Sequence, residues 1–368
     1  MAPISQPGER IAMNPKQLDI GGRIIGQGKP TFVIAEIGVN HDGSVNKALE
    51  LVKVAAACGA DAVKMQIFRA VTLMHPSCVL ASYQKERCPT DNAIEMLRKY
   101  ELTREDYRLI CKAITDAKLI PIATPFSPGD LDTISGLRLP AIKIASPDLV
   151  NRPLLNDAMQ LGRPLLLSTG AATMAEVDRT AGWLDSAGAR YALLHCISSY
   201  PTPNLDANIG WVSALNRRFN VPVGYSDHTV HPLAGAFAVA AGACIVEKHL
   251  TYDRTARGPD HSASADPQQF ERYVKNIREA DELRGVRDKG VLQCEQDVRS
   301  ISRQSLVVRR SLQPGEAIRA EDLTVQRPGY GISAAYWAET IGRTVAVAVP
   351  GGTVLQTDML AGASVEAA

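Results

Sequence analysis

Eight short apolar runs recur through the first two thirds of the chain, at 32–37, 62–66, 120–123, 141–145, 164–167, 191–196, 221–225 and 244–248. Each is apolar at successive rather than alternate positions, the pattern of a strand covered on both faces. Helical patterns lie between or after them at 45–58, 102–117, 173–187, 232–241 and 267–283. The first ends at Gly59, a glycine C-cap, and Thr103 with Asp106 and Thr173 with Glu176 form capping-box patterns. Strands of this kind alternating with helices over about 250 residues predict a (β/α)8 TIM barrel. A doubly wound open sheet is the alternative, but it usually has fewer strands and a different ligand geometry.

The rest of the chain divides around that core. Residues 1–30 read as an N-terminal extension and hairpin, with Gly21-Gly22 as the tight turn between Leu18-Asp19-Ile20 and Arg23-Ile24-Ile25. The barrel is expected over 31–285 and a charged linker over 286–300. Residues 301–368 are strand-and-turn material with Pro-Gly at 314, 328 and 350, a small mostly-β second domain.

Composition narrows the class. The formal net charge of +1 across 368 residues gives no field that would favour nucleic acid or an anionic membrane. No apolar run reaches the ~20 residues of a membrane span, and the polar start of the chain lacks a signal-peptide h-region. The seven cysteines form no CxxC pair, which predicts reduced thiols and a cytoplasmic location. Cys58, Cys111, Cys196 and Cys244 read as small core residues, while Cys78 and Cys88 flank a polar stretch.

Side chains at the carboxyl ends of barrel strands share one pocket. The strand exits, in order, supply Glu36; Lys64 and Gln66; Thr124; Lys143, Ser146 and Asp148; Ser168; Ser198 to Tyr200; Ser226 and His228; and Glu247 and His249. Two lysines in otherwise apolar strands need partners. With the hydroxyls of Thr124, Ser146, Ser168 and Ser226 they suit a phosphate or carboxylate ligand. They equally suit internal ion pairs with Glu36 and Glu247, and both readings hold for an empty site. His228 and His249, as neutral imidazoles with oxygen co-ligands, suit Mn²⁺ or a Mg²⁺-like ion better than a closed structural zinc.

Ordered motifs through the chain resemble the sialic acid synthase family: FVIAEIGVNH at 32–41, ADAVKMQ at 60–66, ATPF at 123–126, IKIAS at 142–146, LSTG at 167–170, LHCISSYPTP at 194–203, GYSDHT at 224–229, EKH at 247–249 and GPDH at 258–261. Residues 301–368 resemble that family's C-terminal antifreeze-like (SAF) domain. The resemblance implies condensation of phosphoenolpyruvate with an N-acetylmannosamine-type sugar to a nine-carbon 2-keto acid, sialic or legionaminic, with release of phosphate. It also implies a divalent metal, Mn²⁺ or else Mg²⁺ or Co²⁺, and a domain-swapped homodimer. Matching motif by motif, Lys64, Thr124, Lys143, Ser146, Ser168 and Ser226 hold phosphoenolpyruvate, and His228 and His249 hold the metal. Gln66, Tyr200 and Asp260 contact the sugar, and Arg327 in Gln326-Arg327-Pro328-Gly329-Tyr330-Gly331 reaches a neighbouring subunit's sugar. Glu36 and Asp148 are the acid/base carboxylates, alongside Lys64 and Lys143 as catalytic groups. The chain departs from the family at Ser146-Pro147-Asp148, where the family often has Ser-Gly-Glu or Ser-Gly-Asp, and at Ser198-Ser199, where some members have Asn. Gly258 to Ser264 looks closer to the neuraminic and legionaminic branch than to the pseudaminic one. A pseudaminic acid synthase, or another metal-dependent phosphosugar aldolase or epimerase, is the alternative. The segments 69–92 and 198–209 are expected to discriminate among N-acetylmannosamine, its 6-phosphate and 2,4-diacetamido-2,4,6-trideoxymannose.

Overall fold

A computed structural model describes residues 16–80, 85, 90, 92–285 and 289–362. The chain separates into two compact units that divide at Gly285. Cys88, the first fifteen residues and part of the expected linker lie outside the described residues.

The first unit is a closed parallel barrel of eight strands, in the cyclic order β10-β3-β4-β5-β6-β7-β8-β9. The strands are β3 Phe32–Glu36, β4 Ala62–Ile67, β5 Ile120–Pro125, β6 Ala141–Ile144, β7 Leu165–Ser168, β8 Tyr191–Cys196, β9 Val223–Asp227 and β10 Ile245–His249. Alternate side chains point inward. At the amino end of the barrel these are Phe32, Ile34, Ala62, Ile122, Ala141, Leu166, Ala192, Leu194 and Ile245, which form one apolar cluster. Leu18, Ile20 and Ile25 of an antiparallel hairpin, β1 Gln17–Ile20 and β2 Arg23–Gly26, belong to the same cluster. The hairpin therefore plugs the bottom of the barrel. Its turn needs Gly21 and Gly22, whose φ angles are +63° and +86°.

The outward residues of the strands, such as Val33, Val63, Met65, Ile142, Leu167, Leu193 and Val246, pack against the surrounding helices in a second, larger core. The helices Val45–Ala57, Arg104–Asp116, Met174–Ser186, Ala234–Ala240 and Pro267–Arg284 fall where the pattern places them, and the capping boxes at Thr103 and Thr173 form. Further helices, Pro128–Leu137, Arg152–Gln160 and Gly210–Arg218, complete the ring without a matching sequence expectation.

The second unit has its own core of Leu306, Val308, Leu312, Ile318, Leu323, Ile332, Val345, Val349, Leu355 and Leu360. One antiparallel pair, β11 Ser305–Val308 with β12 Leu323–Gln326, is extended by isolated bridges such as Leu312 with Val349. Part of the stretch expected as linker is helical instead, over Gln296–Ser302.

Ile20 is fully buried in the plug. Replacing it with Ala is expected to cost about 2–5 kcal/mol of stability, the range for emptying a core site. Urea unfolding measures it, and a loss well under about 1 kcal/mol would mean that the hairpin does not seal the barrel.

Candidate active site

The inward alternation that builds the apolar floor continues upward and changes chemistry. Above Ile34 stands Glu36, above Ala62 stand Lys64 and Gln66, and above Ile122 stands Thr124. Lys143 follows Ala141, Ser168 follows Leu166, and Cys196 follows Leu194. Ser226 and His228 lie at the exit of β9, and Glu247 and His249 end β10. A cavity of about 280 Å³ opens there, lined by these side chains except Glu36, which lies beneath it, and by Ser146, Tyr200 and Asp260.

Glu247 is the hub of the polar layer. Its Oε1 lies 3.0 Å from Lys64 Nζ and 4.0 Å from Lys143 Nζ, and it accepts a hydrogen bond from Ser226 Oγ at 3.1 Å. Burial alone would push its carboxyl up; Lys143 and Lys64 outweigh that and hold it at about 2. Lys64 also pairs with Glu36 at 2.5 Å, and burial brings its pKa down to about 8 against the pull of Glu247. Glu36 is fully buried, and its Oε1 accepts from the Gly38 N–H at 2.6 Å. Lys143 donates to Ser168 Oγ at 2.6 Å and to the Ile144 carbonyl at 3.0 Å. Ser146 Oγ accepts from the Gly170 N–H at 3.0 Å. A Cβ on Gly170 would approach Ser198 Oγ to 2.4 Å and Ser146 Oγ to 2.8 Å, so any larger residue would displace these hydroxyls.

The histidines stand side by side, with ring centroids 5.5 Å apart, and Tyr200 lies 4.1 Å from the His228 ring. His228 Nδ1 donates to the Ile197 carbonyl at 2.7 Å, which leaves Nε2 as its lone-pair nitrogen. Burial, followed by His228 and Lys64, keeps the pKa of His249 well below its ordinary value and the ring neutral. Thr124 Oγ1, Glu247 Oε2 and His249 Nδ1 are buried and make no hydrogen bond. Unsatisfied polar atoms are costly in a folded chain, and here they surround one cavity, which marks it as a place where a ligand completes the bonding. Two adjacent imidazoles and the surrounding oxygens fit an octahedral, oxygen-rich divalent ion with open positions. Among the described residues no group of three or more His, Cys, Asp or Glu is arranged to hold a metal ion, so the two imidazoles would need oxygens of substrate or water to complete a site. Asp260, beside His249 at 3.8 Å, has its pKa raised by burial to about 6.

One expected residue of the barrel unit stands elsewhere. Asp148 does not line the cavity. Pro147 initiates a 3₁₀ turn over Ser146–Asp148, and with roughly three residues per turn the aspartate is rotated away from the face that Ser146 presents. Its carboxylate accepts from Asn151 Nδ2 at 2.9 Å. Arg327 is exposed and belongs to the second unit. Cys196, expected only as core, and Glu247, expected at a strand exit but given no role beyond an ion pair, both line the cavity, and Cys196 Sγ is 3.7 Å from His228 Nδ1. Period-two counting from Ala192 and Leu194 places Cys196 inward, so the signal was present.

The outer faces of β9 and β10 carry a second polar group. Asp227 and Lys248 are register partners and form an ion pair at 3.0 Å, both fully or nearly buried. Asp227 also accepts from Tyr273 OH at 2.7 Å, Tyr225 OH at 3.1 Å and the Thr229 N–H at 2.8 Å, while Lys248 donates to the Thr229 carbonyl. This clamp fixes the two strands that end in His228 and His249.

Residues 51–289 match the NeuB family and residues 303–361 match the SAF domain. The chain is 37% identical over 336 residues to an N,N'-diacetyllegionaminic acid synthase of Legionella pneumophila, covering 90% of this chain and 94% of that protein. It is 35% identical over 319 residues to the Campylobacter jejuni protein of the same name, covering 86% and 96%. Its fold is similar to a crystal structure of N-acetylneuraminic acid (sialic acid) synthetase from Leptospira borgpetersenii in complex with citrate, at 30% identity and a TM-score of 0.70, covering 77% of this chain and 95% of that one.

The clamp predicts an asymmetric pair of variants. Asp227→Ala leaves Lys248 buried and unpaired and is expected to cost about 3–5 kcal/mol. Adding Lys248→Met removes the stranded charge and is expected to recover part of that loss. Urea midpoints of the single and double variants decide; a double variant no more stable than the single one would assign the loss to the tyrosine hydrogen bonds instead.

Proposed function

The chain belongs to the NeuB family, with a SAF domain after its barrel, and on that premise we propose that it condenses phosphoenolpyruvate with an N-acetylmannosamine-type sugar to a nine-carbon 2-keto sugar acid, releasing phosphate. The observation that carries this reading is the layer in which Lys64 and Lys143 share Glu247 beside the His228–His249 pair, of which His249 keeps a buried nitrogen without a hydrogen bond. It offers an anion floor and a cation site within one cavity.

In this reading Lys64 and Lys143 hold the phosphate and carboxylate of phosphoenolpyruvate, and Thr124, Ser146, Ser168 and Ser226 supply hydroxyl groups around them. Fixed ammonium groups that need no rearrangement stabilise charge on the departing phosphate. His228 and His249 hold a divalent metal, Mn²⁺ foremost, which when bound acts as a Lewis acid on the acceptor aldehyde. Gln66, Tyr200 and Asp260 orient the sugar. C3 of phosphoenolpyruvate attacks the aldehyde carbon, water adds at C2, and phosphate leaves with the C2 oxygen. Glu36, anchored by Gly38 and Lys64, orients or deprotonates that water. The proposal extends to a cytoplasmic homodimer in which Arg327 reaches a neighbouring subunit's sugar, on the strength of the resemblance. No helix among the described residues is long and apolar enough to cross a membrane.

The test is phosphate release from phosphoenolpyruvate with Mn²⁺ and an N-acetylated mannosamine. Label in the C2–O bridge oxygen is expected to leave with phosphate, and its retention in the keto acid would overturn the bond assignment. Trapping of a pyruvate adduct by borohydride would favour a Schiff-base aldolase. His228→Ala is expected to weaken Mn²⁺ binding, read by calorimetry, by at least the ~10–100-fold typical of disturbing a metal's surroundings. Lys143→Ala is expected to lower kcat/KM by ~10²–10³, the scale of removing one preorganised electrostatic group.

A further inference from the structure

The stretch between the end of β10 and the helix Pro267–Arg284 brings Asp260 into the cavity. Its carboxylate lies 3.8 Å from His249 Nδ1, beyond hydrogen-bond reach, so its place is set by how the backbone around it is held. The stretch is fastened at both ends. The Leu250 N–H donates to the Glu36 carbonyl at 2.8 Å, and the Ala265 N–H donates to the His249 carbonyl at 2.9 Å. Asp260 itself precedes a 3₁₀ turn, His261–Ala263, and one such turn does not hold itself in water.

Two polar links reach this turn from the exit of β3. Asn40 Nδ2 donates to Ser264 Oγ at 2.8 Å and to the Leu250 carbonyl at 2.9 Å, and Ser264 Oγ donates on to the Asp260 carbonyl at 2.7 Å. Asp42 Oδ1 accepts from His261 Nε2 at 3.0 Å, while the Thr251 hydroxyl lies 2.7 Å from His261 Nδ1. The tautomer with its hydrogen on Nε2 satisfies both contacts, with Thr251 as donor to Nδ1. Asp42 is held in turn, because its Oδ2 accepts from Tyr252 OH at 2.5 Å and from Lys47 Nζ at 2.7 Å. Asn40, Thr251 and His261 are buried. The links therefore take Asp260 from two sides, one on its own carbonyl and one on the residue after it. Asn40, Asp42 and His261 do not line the cavity.

We propose that Asn40, Asp42 and His261 are positioning residues, which hold the Asp260 carboxylate against the acceptor sugar through two hydrogen-bonded links from the β3 exit. They act on the sugar through Asp260 and touch no substrate. Displacing a contacting group by about 1 Å can cost ~10²-fold in rate, so a buried anchor outside the cavity has leverage on the reaction inside it. The inference rests on the condensation proposed above and on Asp260 as a sugar contact within it.

His261→Leu fills similar space and removes both hydrogen bonds. With Mn²⁺ and whichever N-acetylated mannosamine supports phosphate release, it is expected to raise KM for that sugar by ~10–100-fold while KM for phosphoenolpyruvate stays in place. Asp42→Asn keeps an oxygen for His261 and suits the φ of +50° at that position, so it is expected to retain most of the sugar affinity. In an Asp260→Ala background His261→Leu is expected to cost little more, since the two act as a unit. Losses that multiply in the double variant, an equal rise in KM for both substrates, or an Asp42→Asn as impaired as His261→Leu would each overturn the inference and leave the condensation standing. A measurement without turnover separates the two. The Ala263 and Ser264 amides donate to the Asp260 and His261 carbonyls, and their hydrogen exchange is expected to be about tenfold faster in His261→Leu while the barrel strands are unaffected. Unchanged exchange at those amides overturns the anchor whatever the activity. Absence of phosphate release by the unmodified protein with every N-acetylated mannosamine overturns the condensation and with it the role at the sugar, and exchange alone then decides whether the anchor exists.

Discussion

The mouth of this barrel depends on one buried carboxylate. Lys64 and Lys143 project from β4 and β6 into the same enclosed space, and two ammonium groups there would repel strongly at low dielectric. Glu247 lies between them and draws Lys64, Lys143 and Ser226 onto a single oxygen. With Glu36 the floor holds two lysines against two carboxylates and is close to neutral. A neutral floor gives the lysines geometry for an anion without a large excess of charge to bind one. The neighbouring imidazoles matter for that reason: His249 is an uncharged donor with a bare nitrogen, a place where positive charge can be added.

That arrangement is inseparable from the period of the strands. Inward positions run from Ile34, Ala62, Ile122 and Ile245 at the bottom to Glu36, Lys64, Thr124 and Glu247 two residues higher. A register slip by one residue would bury the site among the helices and bring Val63 and Val246 to its place. Register is defended at both ends. The hairpin plug holds the bottom through Leu18, Ile20 and Ile25, and the Asp227–Lys248 pair ties β9 to β10 from outside. The outer pair and the inner hub occupy adjacent residues of the same two strands, so the chemistry is braced from behind by polar groups that never touch it.

These facts were unequally legible in the sequence. The eight strands showed themselves because burial on both faces leaves few ways to write them other than Val, Ile, Leu and Ala. Three ring helices stayed hidden. Pro128–Leu137 mixes an internal Gly136 with β-branched residues, Arg152–Gln160 is short, and Gly210–Arg218 opens on glycine, so packing on the barrel rather than local propensity stabilises them. The signals that were there are caps: Ser127 before Pro128 and Asn151 before Arg152. Strand-exit counting assumes that an extended chain continues, whereas Pro147 turns it before Asp148, which is why that residue does not line the cavity. Glu247 was undervalued for the converse reason. A charge read as half of an ion pair looks structural until three partners converge on one of its oxygens.

The apolar side of the cavity, where Leu73, Met74, Leu97 and Phe126 line it, was beyond local reading for a physical reason. Leu73, Met74 and Leu97 are scattered in a stretch without regular period, and no window of sequence distinguishes them from ordinary surface leucines and methionines. They acquire meaning only when helix Ala93–Arg98 folds back on Phe68 and Val39. The floor is written in strands whose pleat dictates direction, so its residues could be assigned by counting. The apolar side is written in two short helices and the segments beside them, which take their direction from tertiary contact.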